Sequence, residues 1–440
     1  MTTSAEPFSP MDTAIQTLGP CTVTSPARYQ RFIGDEERVL FDLDASRVAR
    51  ACSEGRAPVG FERAGPRQKI FFEPAEVTAA IATCGGLCPG LNDVIRAVVH
   101  EFYYVYGVRK VLGVRYGYAG LNPDEGWPLM ELTLDAVRTI HQDGGTVLGS
   151  SRGPQDPKVM VDTLEKNKVN ILMVVGGDGT LKGAQAICQE VARRRRSIAV
   201  VGVPKTIDND INLVSRSFGF ETAVAASVEA IRCAHAEAEG AQNGVGIVKL
   251  MGRESGFVAA SAALAQKDVN FVLIPEVPFD LDGPHGFLAA LEARLRRRGH
   301  AVVVVAEGAG QNHFDRDLGK DASGNQKLGD IGQLLRDRIG AHLKAMKLPH
   351  SIKYIDPSYI IRSVPAIPSD CIFCGFLGQH AVHAGMAGKT NVMVGSWNNL
   401  FVHIPIPEAV RQRKHVDPNG GLWLSVLEST GQPERMVNTP

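Results

Sequence analysis

Val169-Asn-Ile-Leu-Met-Val-Val-Gly-Gly-Asp-Gly-Thr180 decides the fold. Residues 169–175 form a short, nearly continuous apolar run rich in Val. The run stops at two glycines, and a helical pattern follows over 182–194. A strand buried on both faces reads this way, because no face is left for polar alternation. The same order recurs upstream. Residues 77–83 are apolar, then comes Cys84-Gly-Gly-Leu-Cys-Pro-Gly90, then a helical pattern over 92–104 with Val94, Ile95, Val98 and Phe102 on one side. Residues 110–115 read as a strand, 134–142 as a helix stopped by Gly144-Gly145, and 197–203 as a strand.

The second half repeats this logic. Strands are expected at 244–250, 271–274 and 301–306, and helices at 256–265, 286–298 and 331–346. Strands alternating with helices predict an α/β protein of two similar three-layer lobes with mainly parallel sheets. Ligands of such sheets sit beyond the carboxyl ends of the strands. The loops after Thr83, Val175, Val203, Leu250 and Ala306 are therefore expected to converge on an active-site cleft between the lobes.

Composition bounds the function. The 440 residues are 44% hydrophobic, enough for one large or two ordinary domains. Lys+Arg and Asp+Glu both number 47, a balance that does not point to a nucleic-acid partner. No apolar run reaches the roughly 18 residues of a membrane span. Residues 1–40 are rich in Thr, Ser and Pro, carry Glu6 and Asp12, and lack the features of a signal or transit peptide. They read as a flexible extension, and the chain as cytoplasmic. Eight cysteines do not make a disulfide scaffold; Cys84/Cys88 and Cys371/Cys374 read as reduced thiols, with a redox switch at Cys84/Cys88 as the alternative. The basic runs 193–196 and 296–298 each close a helix, where cations complement the dipole and stay solvated.

The chemistry concentrates in five loops. In Gly176-Gly-Asp-Gly-Thr180 the glycines permit close backbone approach, Asp178 can hold magnesium, and Thr180 can cap a helix and donate to phosphate. A ligand-free turn is the plain alternative. Val203-Pro-Lys-Thr-Ile-Asp-Asn-Asp210 carries more ionisable groups than a turn needs, and Asp208 is the candidate general base. There a capped helix start, with Asp210 as the cap, is the alternative. In Met251-Gly-Arg-Glu254, Gly252 exposes backbone N–H groups and Arg253 offers a planar donor fork. Glu307 can accept sugar hydroxyls. Lys353, Tyr359 and Arg362 form a candidate clamp for a phosphate monoester. Taken singly, each of these is as readily a solvated surface charge. Ala387-Gly-Lys-Thr390 only imitates a P-loop: His383 stands where that loop needs glycine, and the segment ahead reads as helix.

In this order and spacing the motifs resemble the phosphofructokinase family, over about residues 76–410. Residues 83–96, 353–362 and 65–72 look most like its plant-type ATP-dependent branch. The resemblance implies magnesium and ATP as cofactor and co-substrate, and fructose 6-phosphate as acceptor. It implies that Gly86, Arg152, Gly153, Gly177, Asp178, Gly179 and Thr180 hold the nucleotide, with Asp178 on the metal. Thr206, Ile207 and Asp208 would meet the reacting hydroxyl. Catalysis would fall to Asp208, Thr206 and Arg253. Met251, Gly252, Arg253, Glu307, Lys353, Tyr359 and Arg362 would bind the sugar phosphate.

Donor choice rests on Gly179 and Lys205. Pyrophosphate-dependent relatives carry aspartate at the first position and lysine at the second; bacterial ATP enzymes carry glycine at both. The mixture here favours ATP, with pyrophosphate as the alternative. Where the bacterial enzymes reach a neighbouring subunit's substrate with arginines, this chain has Gly244 and Lys353. A homo-oligomer, tetramer or dimer, and allosteric control are implied by resemblance alone.

The expected division is an extension over 1–75, a nucleotide lobe over 76–220 completed by about 362–410, a fructose 6-phosphate lobe over 221–361 and a C-terminal segment over 411–440. A non-catalytic regulatory subunit would be expected to lack Asp178 or Asp208. A lipid or NAD kinase would not explain residues 206–210 together with 251–253.

Overall fold

The computed structural model describes residues 11–29, 31–314, 319–320 and 326–438. The first ten residues of the expected extension therefore lie outside the described residues. The chain divides into two units. Unit 1 comprises residues 1–205, 211–218 and 368–413; unit 2 comprises 206–210, 219–367 and 414–440.

Unit 1 is built on a nine-stranded sheet. Its spatial order is Arg38–Leu40, Gly60–Arg63, Leu400–Pro405, Val392–Trp397, Ala199–Pro204, Ile171–Gly176, Thr78–Thr83, Lys110–Val114 and Met130–Glu131. The five strands from Val392–Trp397 to Lys110–Val114 run parallel, and the outer ones join antiparallel. Alternation assigns the faces. Ala80, Ala82, Leu172, Val174 and Val200 join Leu181, Ala184 and Ile187 of the helix Asp178–Arg193 in one core. On the other face the helix Pro368–Met386 comes so close that a Cβ on Gly385 would stand 2.7 Å from Ile171. That helix also packs on Leu91–His100, where a Cβ on Gly378 would stand 2.7 Å from Ala97.

Unit 2 repeats the pattern on a smaller scale. Phe271–Leu273, His300–Ala306, Gly244–Leu250 and Ser351–Ile355 form an all-parallel sheet. Val245, Ile247, Val303 and Val305 pack with Phe287, Leu291, Leu335 and Ile339 of the helices Phe287–Arg298 and Ile331–Ala345. On the opposite face Gly246 lets the helix Phe220–Glu239 approach, since a Cβ there would stand 2.5 Å from the Ala234 carbonyl oxygen. The α/β expectation holds in both units.

Three expectations differ from what is found. The helix expected over 134–142 is a set of turns ending in a short 3₁₀ segment, Ile140–Gln142. Thr133 Oγ1 takes the Ala136 amide, and after one bond from the Val137 amide to the Thr133 carbonyl the backbone closes three-residue turns, Arg138 to Asp135, Gln142 to Thr139 and Asp143 to Ile140, instead of continuing a helical ladder. Next, the expected flexible extension carries order. Gln16–Thr17 pairs with Lys389–Thr390, Val23–Thr24 with Lys69–Ile70, and Arg38–Leu40 with Gly60–Arg63. The indole of Trp397 stacks on Phe41 at 5.1 Å and donates to its carbonyl at 2.9 Å. Finally, the run 193–196 is not simply solvated. Arg194 is mostly buried and pairs with Glu190 at 2.7 Å and Glu165 at 3.0 Å.

The helix Leu91–His100 continues into a π-helical turn, Glu101–Tyr106, that carries Glu101 inward. Tyr29 donates to Glu101 Oε1 at 3.2 Å, and Tyr106 bonds His383 Nδ1 at 2.8 Å. Burial pushes the Glu101 carboxyl up to about 7 and pushes His383 down to about 3, so the imidazole beside it stays neutral. The unfolded carboxyl ionises near 4.5, so folding holds a proton that the open chain has lost. Stability then falls as pH rises from about 4.5 to about 7 and stays lower above that. Glu101→Gln is expected to stabilise the protein at pH 8, by at most about 3 kcal/mol, and to change nothing at pH 4. Urea melts at both values check this; equal effects at the two pH values would refute it.

Candidate active site

In unit 1 the register of three parallel strands brings three loops to one end of the sheet. Thr83 pairs with Val175, and Val175 with Val203, so the chain leaves all three strands at one level. Backbone bonds then lock the loops together. The Cys84 amide donates to the Val175 carbonyl at 2.9 Å, and the Lys205 amide to the Gly176 carbonyl at 3.0 Å. Ser150 and Ser151, which the sequence reading passed over, serve the same end. Ser150 Oγ donates to the Gly85 carbonyl at 2.6 Å, and the Gly85 amide to the Ser151 carbonyl at 3.0 Å. Arg152 and Gly153 follow directly and are exposed.

Gly177 caps the helix Asp178–Arg193, so residues 177–180 turn unpaired backbone amides outward at a helix start. Such an end favours anions. Tyr118 donates to the Thr180 carbonyl at 2.6 Å and fixes that turn from behind. Asp178 pairs with Lys182 at 2.8 Å, one turn along. Gly176 must be glycine, because a Cβ there would stand 2.2 Å from Thr180 Oγ1; Gly179 faces open space. Lys205 is buried, and its ammonium donates to the Gly86 carbonyl at 2.8 Å. A positive charge thus sits inside the glycine loop 85–86. Cys84 lies there too, and burial pushes its thiol up to about 12, which leaves it inert.

One carboxylate at a helix start fits magnesium well, since that ion keeps most of its shell from water and phosphates. Asp178 would hold it. Among the described residues, no three His, Cys, Asp or Glu side chains gather as a protein cage for a metal.

Unit 2 supplies a second set. Residues 206–210 do not start a helix; the next one begins at Phe220. Thr206 Oγ1 donates to Asp210 Oδ1 at 2.7 Å and accepts the Asp208 amide at 3.2 Å. Ile207 is buried and anchors the turn. Asn209 takes a φ of 55°, so the loop reverses sharply and sets Asp208 and Asp210 on a tight bend.

The loops after Leu250 and Ala306 interlock. Glu307 donates its amide to the Leu250 carbonyl at 2.9 Å, and Gly308 to the Gly252 carbonyl at 3.0 Å. Gly252 has a φ of 131°, which only glycine takes readily. A Cβ on Gly308 would stand 1.9 Å from the Arg253 carbonyl oxygen. Burial raises the Glu307 carboxyl above its usual range despite the nearby charges of Arg253, Lys249 and Arg362. Lys249, a residue the sequence reading missed, pairs with Asp356 at 2.8 Å and Asp330 at 3.3 Å. Its signal was a lone lysine inside an otherwise apolar strand. Met251 is half-buried beside Gly252.

Arg362 lies over the ring of the exposed Tyr359, 4.7 Å from its centroid. Unit 2 therefore places Arg253, Glu307 and Arg362 within electrostatic reach of one another. Lys353 is exposed and its ammonium lies 3.6 Å from Glu237. At position 244 a Cβ would stand 2.0 Å from the Ala238 carbonyl oxygen, so no arginine fits there. Gly308→Ala is expected to push the Arg253 loop aside and to cost about 1–3 kcal/mol. An unchanged melting temperature would refute the interlock.

The family model described as phosphofructokinase matches residues 78–385. An ATP-dependent 6-phosphofructokinase of Borreliella burgdorferi is 48% identical over 442 aligned residues, covering 97% of this chain and 98% of its own. The Trypanosoma brucei brucei ATP-dependent 6-phosphofructokinase is 49% identical, over 85% of this chain and 77% of its own. A chloroplastic ATP-dependent 6-phosphofructokinase of Arabidopsis thaliana is 49% identical, over 84% and 69%. Among solved structures, a pyrophosphate-dependent phosphofructokinase from Marinobacter aquaeolei superposes with a TM-score of 0.66 at 20% identity, over 83% of this chain and 94% of its own. At that identity the likeness speaks for the fold. The match of the family model across most of the chain, with relatives this similar along nearly its whole length, makes this chain a member of the phosphofructokinase family.

Proposed function

We propose that this protein transfers the terminal phosphoryl group of magnesium-ATP to the 1-hydroxyl of fructose 6-phosphate, giving fructose 1,6-bisphosphate and ADP. The observation that carries the reading is the pair of tightly held acidic turns, Asp178 at a helix start and Asp208 on a bend fixed by its own hydroxyl and amide bonds. The names of the similar relatives support ATP as donor.

Phosphoryl transfer needs little covalent help from the protein; it needs alignment and charge neutralisation. Asp208 accepts the proton of the attacking hydroxyl. Thr206 holds the loop that carries it. Residues 85–86, 152–153 and 177–180 receive the nucleotide phosphates, and the Lys205 ammonium meets their charge. Met251, Gly252, Arg253, Glu307, Tyr359 and Arg362 receive the sugar phosphate, with Lys353 as an outer contact. When bound, magnesium neutralises phosphate oxygens and helps orient them. The open space at Gly179 leaves room for the nucleotide. A homo-oligomer, tetramer or dimer, under allosteric control in the cytoplasm, belongs to the same reading. No helix among the described residues is long and apolar enough to cross a membrane.

The deciding assay follows fructose 1,6-bisphosphate formation with ATP and with pyrophosphate in parallel. Product with ATP only supports the reading. Product with pyrophosphate would transfer the weight from Gly179 to Lys205, and product with neither would favour a regulatory subunit. Asp208→Ala is expected to lower kcat by about 10²–10⁴ while leaving both KM values close to wild type; full turnover would remove Asp208 as the base. Gly179→Asp is expected to fold normally, since nothing crowds that position, and to lose ATP use. Unchanged ATP kinetics would refute the steric account.

A further inference from the structure

Two segments of unit 2 hold the backbone of residues 206–210 from outside the loop. Ser255, fully buried, donates its hydroxyl to the Asp208 carbonyl at 3.1 Å. Lys414 donates its amide to the Asp210 carbonyl at 2.9 Å, and its ammonium lies 5.1 Å from the Phe257 ring centroid. These two segments are far apart in sequence, and one side-chain oxygen joins them. Glu276 Oε1 accepts the Gly256 amide at 3.0 Å and the Val416 amide at 2.8 Å. His415 closes the same junction, with Nδ1 2.9 Å from the Glu254 carbonyl oxygen. Gly256 caps the helix Phe257–Gln266, so the carboxylate also sits at a favourable helix end. Glu276 Oε2 is buried with no hydrogen-bond partner among the described residues. That desolvation is a cost, and the geometry at Oε1 is what it supports.

We propose that Glu276 is a positioning residue for the acidic loop: through one carboxylate oxygen it ties residues 254–256 to the C-terminal strap 414–416, and so fixes the two carbonyls that aim Asp208. The inference rests on the proposed phosphoryl transfer for its kinetic consequence, but its structural claim is independent of that reaction. The strap lies beyond residues 78–385, which the family model matches. The chain segment after the shared region therefore acts on the loop at the centre of the chemistry. Glu276 touches no reacting atom in this account. It acts by restricting where Asp208 points, and misplacement of about 1 Å costs roughly 10²-fold in rate.

The test uses the full chain with Glu276→Ala and Glu276→Gln. The amide oxygen of glutamine accepts the same two N–H groups without the charge, so it separates geometry from electrostatics. Glu276→Ala is expected to lower kcat by about 10–100-fold, with KM for ATP and fructose 6-phosphate within about threefold. Glu276→Gln is expected to stay within about threefold of wild type in kcat. Amide hydrogen exchange across 206–210 and 414–416 gives a readout that does not need turnover. It should quicken in Glu276→Ala, in a sample still folded by its melting curve, and stay slow in Glu276→Gln. Unchanged exchange in Glu276→Ala overturns the proposal whatever the activity. A glutamine variant as damaged as alanine also overturns it, by assigning the effect to charge. An inactive wild-type protein with the expected exchange pattern would instead sink the assigned reaction and leave the strap standing.

Discussion

The strand Ile171–Gly176 is the constraint on which unit 1 depends. It is hydrogen-bonded on both sides, to Thr78–Thr83 and to Ala199–Pro204, and every residue in it is buried. A buried peptide group without a partner is expensive, so the register of these three strands has no freedom to slip. That fixed register brings the glycine loop 85–86, the acidic turn 177–179 and Lys205 to a common level. The glycines then do local work: Gly176 gives way to Thr180, while Gly179 leaves space unfilled. This end of the sheet is assembled by backbone bonds first and side chains second.

Unit 2 reaches a comparable result by a different device. Its loops after Leu250 and Ala306 fit so closely that Gly308 lies against the Arg253 carbonyl, and Gly252 takes a conformation open to few other residues. The same packing desolvates Glu307 among cations. Burial there disfavours the carboxyl's charge by more than the neighbouring cations favour it. Lys249 balances two carboxylates nearby. The loops that carry Arg253 and Glu307 are thus arranged by steric interlock, where unit 1 relies on sheet register.

Much of this was legible in the chain. Apolar runs ending at glycine located the parallel strands, because strands buried on both faces have no polar positions to blur the pattern. The acidic loops were legible because 176–180 sets one aspartate among glycines after a buried strand, and 205–210 holds more charge than a turn requires. The outer antiparallel strands were not. Gly60–Arg63 is short and carries the buried Glu62, which pairs with the nearby Arg67 and with Lys389 and bonds His403, the last two far along the chain. No local pattern announces a partner more than three hundred residues away. Leu400–Pro405 was missed for the same reason, as was the pairing of Gln16–Thr17. The helix expected over 134–142 is not formed, because the backbone there closes successive three-residue turns that the apolar pattern alone does not distinguish from a helix. Lys353 was read with Tyr359 and Arg362 as one clamp, and its ammonium pairs with Glu237, a partner the segment 353–362 does not contain. Glu276 gave no sequence signal at all, since its role is to accept two backbone amides that only the folded chain brings together.

The position of Leu400–Pro405 has a consequence for synthesis. It lies between Gly60–Arg63 and Val392–Trp397, and Val392–Trp397 in turn pairs with Ala199–Pro204. As the chain leaves the ribosome, Gly60–Arg63 must wait for a partner about 340 residues downstream, on the order of 20–70 s at ordinary elongation rates. During that interval the nascent chain exposes two unpaired strand edges, Gly60–Arg63 and Ala199–Pro204. Such edges invite pairing with other chains. The charges on Arg63 and Glu62 blunt the first of them, while the second, Ala-Val-Val-Gly-Val-Pro, is uncharged and ends in proline. Chaperone demand during translation is thereby written into the strand order of the sheet.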